Sequence, residues 1–101
     1  MLTLNVSPEA EADLVAALNY WDERSPTYAD QMAAEVDARY ALLLTQPRFG
    51  RTRDDLAAGL RSTVVGKYVV LYRIGQTTLD IVRFLHGSRD ILRIIRGDES
   101  D

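Results

Sequence analysis

Apolar positions change period twice along the chain, and those changes predict the order of its elements. Leu2 to Val6 alternates apolar with small polar residues, the pattern of a short, half-buried strand. Ser7 and Pro8 end it and open a helix. Ser7 suits the N-cap, Pro8 the first helical position, and Glu9 and Glu11 put negative charge at the positive end of the helix dipole. Ala10, Leu14, Ala17, Leu18 and Trp21 recur at helical spacing and form one stripe for burial. Ser25-Pro26 repeats the start signal, and a longer stripe follows through Ala29, Met32, Ala33, Val36, Tyr40, Leu43 and Leu44 until Pro47 stops it. Helices joined so tightly predict an antiparallel hairpin.

Phe49 to Gly59 has two glycines, four charges and little periodicity, which predicts a connecting loop. The period then becomes that of strands. Leu60 to Val65, Tyr68 to Ile74 and Leu79 to His86 are rich in valine, isoleucine, tyrosine and phenylalanine, with turns at Gly66 and Gly75-Gln76. Ile91 to Ile95 fits either a short final helix or an edge strand. The order β-α-α-β-β-β gives an α+β domain whose helical hairpin packs on one face of a small, twisted, mostly antiparallel sheet and leaves the other face available. Strand alternation places Tyr68 and Tyr72 beneath the helices, and Arg73 and Arg83 on the opposite face with Val69, Leu71, Leu79, Ile81 and Leu85. Trp21 is expected in the core.

Length and composition narrow the function classes. At 101 residues and 47% hydrophobic, residues 1–101 suit one domain, with an acidic tail at 98–101 expected to be mobile. Without cysteine and with a single histidine there is no disulfide framework, no thiolate zinc site and no multi-histidine centre, so neither metal nor cofactor is expected. No run of about 18 apolar residues and no secretory signal is visible, which predicts a cytoplasmic protein with no membrane partner. The net charge of -3 hides a segregation. Met1 to Pro47 has two basic and eight acidic residues, whereas Arg48 to Gly97 has ten basic and four acidic. The second half therefore invites an anionic partner, either nucleic acid or an acidic protein segment. Arg73 and Arg83 interrupt apolar runs, and because an unpaired buried charge is costly they should pair with Asp80, Asp90 or a partner.

The stretch Val65-Gly66-Lys67-Tyr68-Val69-Val70-Leu71-Tyr72-Arg73-Ile74, followed by Ile81-Val82-Arg83-Phe84-Leu85-His86-Gly87-Ser88-Arg89-Asp90, resembles the paired strand signature of ParE-type toxins, the plasmid stabilisation proteins of the RelE/ParE superfamily. Gln46-Pro47-Arg48-Phe49-Gly50 is similar to that family's loop between hairpin and sheet. The resemblance implies the toxin of a type II toxin-antitoxin system, associated with poisoning of DNA gyrase and neutralised by a small ParD-like antitoxin. Such an antitoxin would lay apolar anchors in the groove beside the hairpin and pair acidic side chains with Arg83, Arg89 or Arg93.

The superfamily also contains RelE-like ribosome-dependent messenger endoribonucleases, and fold alone does not choose between the two activities. Cleavage by the 2′-hydroxyl needs a base, an acid and cations around one phosphate. If this chain were a nuclease, those roles would fall to Arg73, Arg83, His86 and Arg89. Nucleases of the superfamily commonly carry an arginine where Val69 stands, and a terminal tyrosine or His-Tyr pair where His86 is followed by Gly87. Both departures favour a non-catalytic toxin. His86 also fits a strand-end histidine bonded to the following loop. A third reading is an inactive relative that only binds its antitoxin. For target or antitoxin the expected contact set is Arg61, Arg73, Arg83, His86, Arg89, Asp90 and Arg93, with direct nucleic-acid contact left open.

Overall fold

The computed structural model describes residues 1–97, so the expectation of an acidic tail at 98–101 lies outside the described residues. Strand β1 (Thr3–Val6) leads into α1 (Pro8–Arg24) and α2 (Pro26–Thr45). Ser7 Oγ accepts the Ala10 N–H at 3.0 Å and Ser25 Oγ accepts that of Tyr28 at 3.3 Å, each directly before a proline at the first helical position. Pro47 follows α2 and begins a single 3-10 turn, Pro47–Phe49. Four strands complete the sheet: β2 (Arg51–Thr52), β3 (Arg61–Val65), β4 (Tyr68–Ile74) and β5 (Thr78–His86). Helix α3 (Ile91–Arg96) decides the open choice for that segment, capped by Asp90 and closed by Gly97 at φ +77°.

The sheet order is β1-β5-β4-β3-β2, antiparallel except for the parallel pair of β1 with β5. Strand β2 was not expected. Its two residues are too few for alternation to register, and Arg51 is held by pairing with Ser62. On the helix side the core includes Met32, Val36 and Leu43 of α2 against Val70, Tyr72 and Phe84 of the sheet. Trp21 is half-buried against this core, and its indole N–H donates to the Tyr68 hydroxyl at 3.0 Å.

Two expectations need correction. Leu71 lies opposite Arg83 but Tyr72 lies opposite Ile81, so Val82 is an extra residue in β5. A bulge of one residue inverts the alternation beyond it. Leu79 and Ile81 therefore turn toward the helices with Tyr72, while Val69, Leu71 and Leu85 stay on the second face. That second face is not simply available either. Leu56 and Leu60 from the loop, and Ile91, Ile94 and Ile95 around α3, cover Leu71 and Leu85 to form a second core. Leu56 and Leu60 have no regular period because they come from a loop, and Ile91, Ile94 and Ile95 keep helical spacing over six residues only, too short a run for the pattern to stand out.

Where β1 stops, α1 takes over its role toward β5. Ser7 N–H donates to Ile81 O and Ser7 Oγ to Val82 O, at 3.0 and 2.8 Å. Next along the edge, Asp13 accepts Arg83 Nε at 2.7 Å, Arg83 Nη2 at 3.0 Å and the Phe84 N–H at 3.1 Å. The pairing of Arg83 thus comes from Asp13, not from the acids expected. Asp80 instead accepts Asn5 Nδ2 at 3.0 Å, and Asp90 caps α3.

At the other end of β4, Tyr72 fixes the loop. Its hydroxyl donates to Pro47 O at 2.7 Å and accepts the Gly50 N–H at 2.8 Å. A Cβ on Gly50 would stand 2.5 Å from the Tyr72 oxygen and 2.7 Å from Ser62 O, so no side chain fits there.

Three outcomes follow for stability. Gly50→Ala should lower unfolding free energy in urea by about 1–3 kcal/mol through overpacking, whereas Gly59→Ala, with nothing within 4 Å of its added carbon, should be limited to the strain of φ +76°. Asp13→Ala should cost about 2 kcal/mol by stripping partners from the Arg83 guanidinium and a strand amide, and Asp13→Asn should recover part of it. Burial pushes the Tyr40 hydroxyl up to about 12, reinforced by Glu11 and Asp37, and also raises Tyr72. Unfolded tyrosines ionise first, near pH ~10, so stability is complete below that pH and falls as pH rises through the folded values. The buried Tyr40 hydroxyl has no hydrogen-bond partner among the described residues. Tyr40→Phe should therefore hold or raise neutral-pH stability by up to about 1 kcal/mol and flatten the alkaline decline measured by denaturant titration.

Candidate partner-binding site

The expected contact residues fall into separate neighbourhoods. Arg61 reaches from β3 to the loop carbonyls, donating to Gly50 O at 2.7 Å and Arg48 O at 3.4 Å. Its guanidinium supports the chain around Gly50. Arg73 Nε donates to Ala58 O at 3.3 Å, which ties β4 to the loop that covers the second face. Arg73 and Arg83 both line a cleft of about 390 Å³ between α3 and the sheet, with Asp80, Val82, Ile94 and Ile95.

His86 and Arg89 lie elsewhere, in a cleft of about 250 Å³ between α1 and the free edge of β5, with Asp13, Tyr20, Tyr68 and Phe84. His86 Nδ1 accepts the Ser88 N–H at 3.1 Å and sits 2.7 Å from Ser88 Oγ, while the ring stands edge-on to Tyr68. Accepting an amide at Nδ1 puts the proton of the neutral ring on Nε2. The same turn is closed by Arg89 N–H donating to His86 O at 3.0 Å. Asp90 Oδ1 accepts the Arg93 N–H at 3.4 Å, and Arg93 is exposed on α3.

Register measures the separation between the two groups. His86 is opposite Tyr68, whereas Arg73 is five positions further along β4, opposite Asp80. At roughly 3.3 Å per residue their backbones are about 16 Å apart along the strand. Arg73, Arg83, His86 and Arg89 therefore do not surround one point. Val69, where a nuclease clamp would stand, is half-buried against the second core.

A third cleft, of about 430 Å³, was not anticipated. It opens at the β2–β3 end of the sheet and is lined by Phe49, Gly50, Arg51, Arg53, Ser62, Thr63, Val64 and Val69. The signal for it in the sequence was the cluster Arg48, Phe49, Arg51 and Arg53 beside the Gln46 to Gly50 motif, which reads locally only as a charged loop. No helix among the described residues is long and apolar enough to cross a membrane.

Comparison with known proteins gives this architecture its context. The family profile described as "ParE toxin of type II toxin-antitoxin system, parDE" matches residues 4–91. A protein named Toxin ParE1 from Caulobacter vibrioides (strain ATCC 19089 / CIP 103742 / CB 15) is 33% identical over 89 residues, covering 87% of this chain and 92% of the relative. Toxin ParE1 of Mycobacterium tuberculosis (strain ATCC 25618 / H37Rv) is 31% identical over 90 residues, with the same coverage. A solved structure described as "Chromosomal ParDE TA system from P. aeruginosa" superposes with a TM-score of 0.73 at 19% identity, covering 85% of this chain and 96% of that one, a likeness of fold. With the profile spanning hairpin and sheet together, and ParE1 toxins above 30% identity over 92% of their length, the chain belongs to the ParE toxin family of type II toxin-antitoxin systems, within the RelE/ParE superfamily.

Proposed function

We propose that this chain acts in the cytoplasm by binding DNA gyrase and blocking its strand-passage cycle, without covalent chemistry of its own, and that a ParD-like antitoxin neutralises it. The observation that carries the reading is the scattering of the cations a nuclease would gather. Phosphodiester cleavage requires base, acid and charge stabilisation within hydrogen-bond reach of one reacting group. Here Arg83 is engaged bidentately by Asp13, Arg73 by the covering loop, and His86 through Nδ1 by its own turn. Such an arrangement suits a surface that recognises a macromolecule. A protein antitoxin is supported by membership of the family and by the P. aeruginosa neighbour, which comes from a ParDE system.

The nuclease alternative keeps one specific observation, that His86 and Arg89 share a cleft. Purified protein added to a gyrase supercoiling assay, with mapping of transcript ends from cells expressing the chain alone, separates the readings. Gyrase inhibition with unchanged transcript ends is expected. Undisturbed supercoiling together with new ends in ribosome-bound messages would sink the proposal. Normal growth on expression without the antitoxin would instead identify an inactive relative.

A further inference from the structure

Two large apolar side chains in the third cleft lie open to solvent. Phe49 is 51% exposed and Val64 59% exposed, and both line the same concavity with half-buried Val69. Isolated surface hydrophobics are ordinary, but an apolar floor inside a concave site marks a binding surface. Its surroundings are basic. Arg48 and Arg51 are exposed and make no side-chain hydrogen bond or ion pair among the described residues. The neighbouring carboxylates are already occupied, Asp55 by Arg53 and Asp54 by the Gly59 N–H.

The edge of β3 is also closed to strand addition at this point. Arg39 Nη1 donates to Val64 O and to Thr63 Oγ1, and its guanidinium lies 5.1 Å from the centroid of Phe49. Recognition must therefore run through side chains. We propose that this cleft seats an acidic segment of the antitoxin polypeptide, with an aliphatic side chain on Val64, Val69 and Phe49 and a flanking carboxylate on Arg51. The inference rests on the toxin-antitoxin reading and assigns the neutralising contact to a surface other than the one beside Arg83.

Charge and shape select this occupant over the others. A second copy would bring arginine against arginine, which like-charge repulsion disfavours. Single-stranded nucleic acid is held by bases stacked on aromatic faces, and the aromatic ring that lines this cleft, Phe49, is already faced by the Arg39 guanidinium at 5.1 Å, beside Val64 and Val69. An aliphatic anchor flanked by acids satisfies both the apolar floor and the Arg51 guanidinium, which makes no hydrogen bond or ion pair among the described residues.

The test uses the full chain and the product of its adjacent gene, titrated by calorimetry. Val64→Asp and Arg51→Glu replace exposed side chains, so circular dichroism should show the fold kept. Each should weaken binding by about tenfold or more, and Arg51→Glu should also reduce its salt dependence. Val15→Asp, at an exposed position on α1, should leave affinity unchanged. Parent-like affinity in both cleft variants overturns the inference while leaving the toxin-antitoxin reading intact, since the parent still binds. Failure of the parent to bind the adjacent product overturns both. Unchanged antitoxin affinity in Val64→Asp, accompanied by loss of binding to a fluorescent single-stranded oligonucleotide or loss of a dimer in sedimentation, overturns it in favour of nucleic acid or self-assembly.

Discussion

Strand β5 must serve two neighbours of unequal length, and the rest of the structure depends on how it does so. Along its first half it pairs with β1 on one side and β4 on the other; along its second half β1 has ended. The transition is made at Val82, the extra residue that breaks the register. Before it, Leu79 and Ile81 face the helices; after it, Phe84 faces them and Leu85 faces away. The edge left open by β1 is then occupied by Ser7 and Asp13, which supply side-chain acceptors and donors where a strand would have supplied backbone. One irregular residue thus decides which side chains meet in the clefts on either side of β5.

Elements specified by adjacent residues were legible in the sequence. The cap-and-proline pairs at Ser7-Pro8 and Ser25-Pro26, the stop at Pro47 and the aromatic and β-branched runs of β3, β4 and β5 all act over a few positions, and each element appears within a residue or so of its expected limits. The bulge was hidden because alternation read along β5 alone has no reference for an extra residue; only the partner strand supplies one. Asp13 and Arg83 are 70 positions apart, and nothing local to either announces the other. The second core escaped notice because Leu56 sits in a loop without period and Leu60, which reads as the start of a strand, lies just before β3 in that loop. Val64 reads as an ordinary strand residue, and its exposure follows from the absence of any strand paired to β3 beyond Ser62 on that side.

The charge segregation of the chain takes a different meaning once contacts are known. A basic half invites an anionic partner. Yet Arg61, Arg73 and Arg83 direct their hydrogen bonds to loop carbonyls and to Asp13, holding the covering segments to the sheet. Such arginines are structural donors, suited to the role because one planar group satisfies several acceptors. Arg48 and Arg51 are not committed in this way; both are exposed, and Arg51 lines the cleft that holds Val64 and Val69. Arginines committed to scaffolding and arginines left exposed thus stand side by side in one basic half, and composition alone cannot distinguish them.

The Tyr72 hydroxyl, lodged between Pro47 and Gly50, has a further effect on how such a protein can diversify. It anchors the backbone of the loop from within the core, so the path of the chain past residue 50 does not depend on which side chains project from it. Positions 48, 49 and 51 can then exchange charge or bulk while the loop keeps its course. A lineage built this way can vary the surface it presents by substitution at the rim, with the fold that carries the rim left undisturbed.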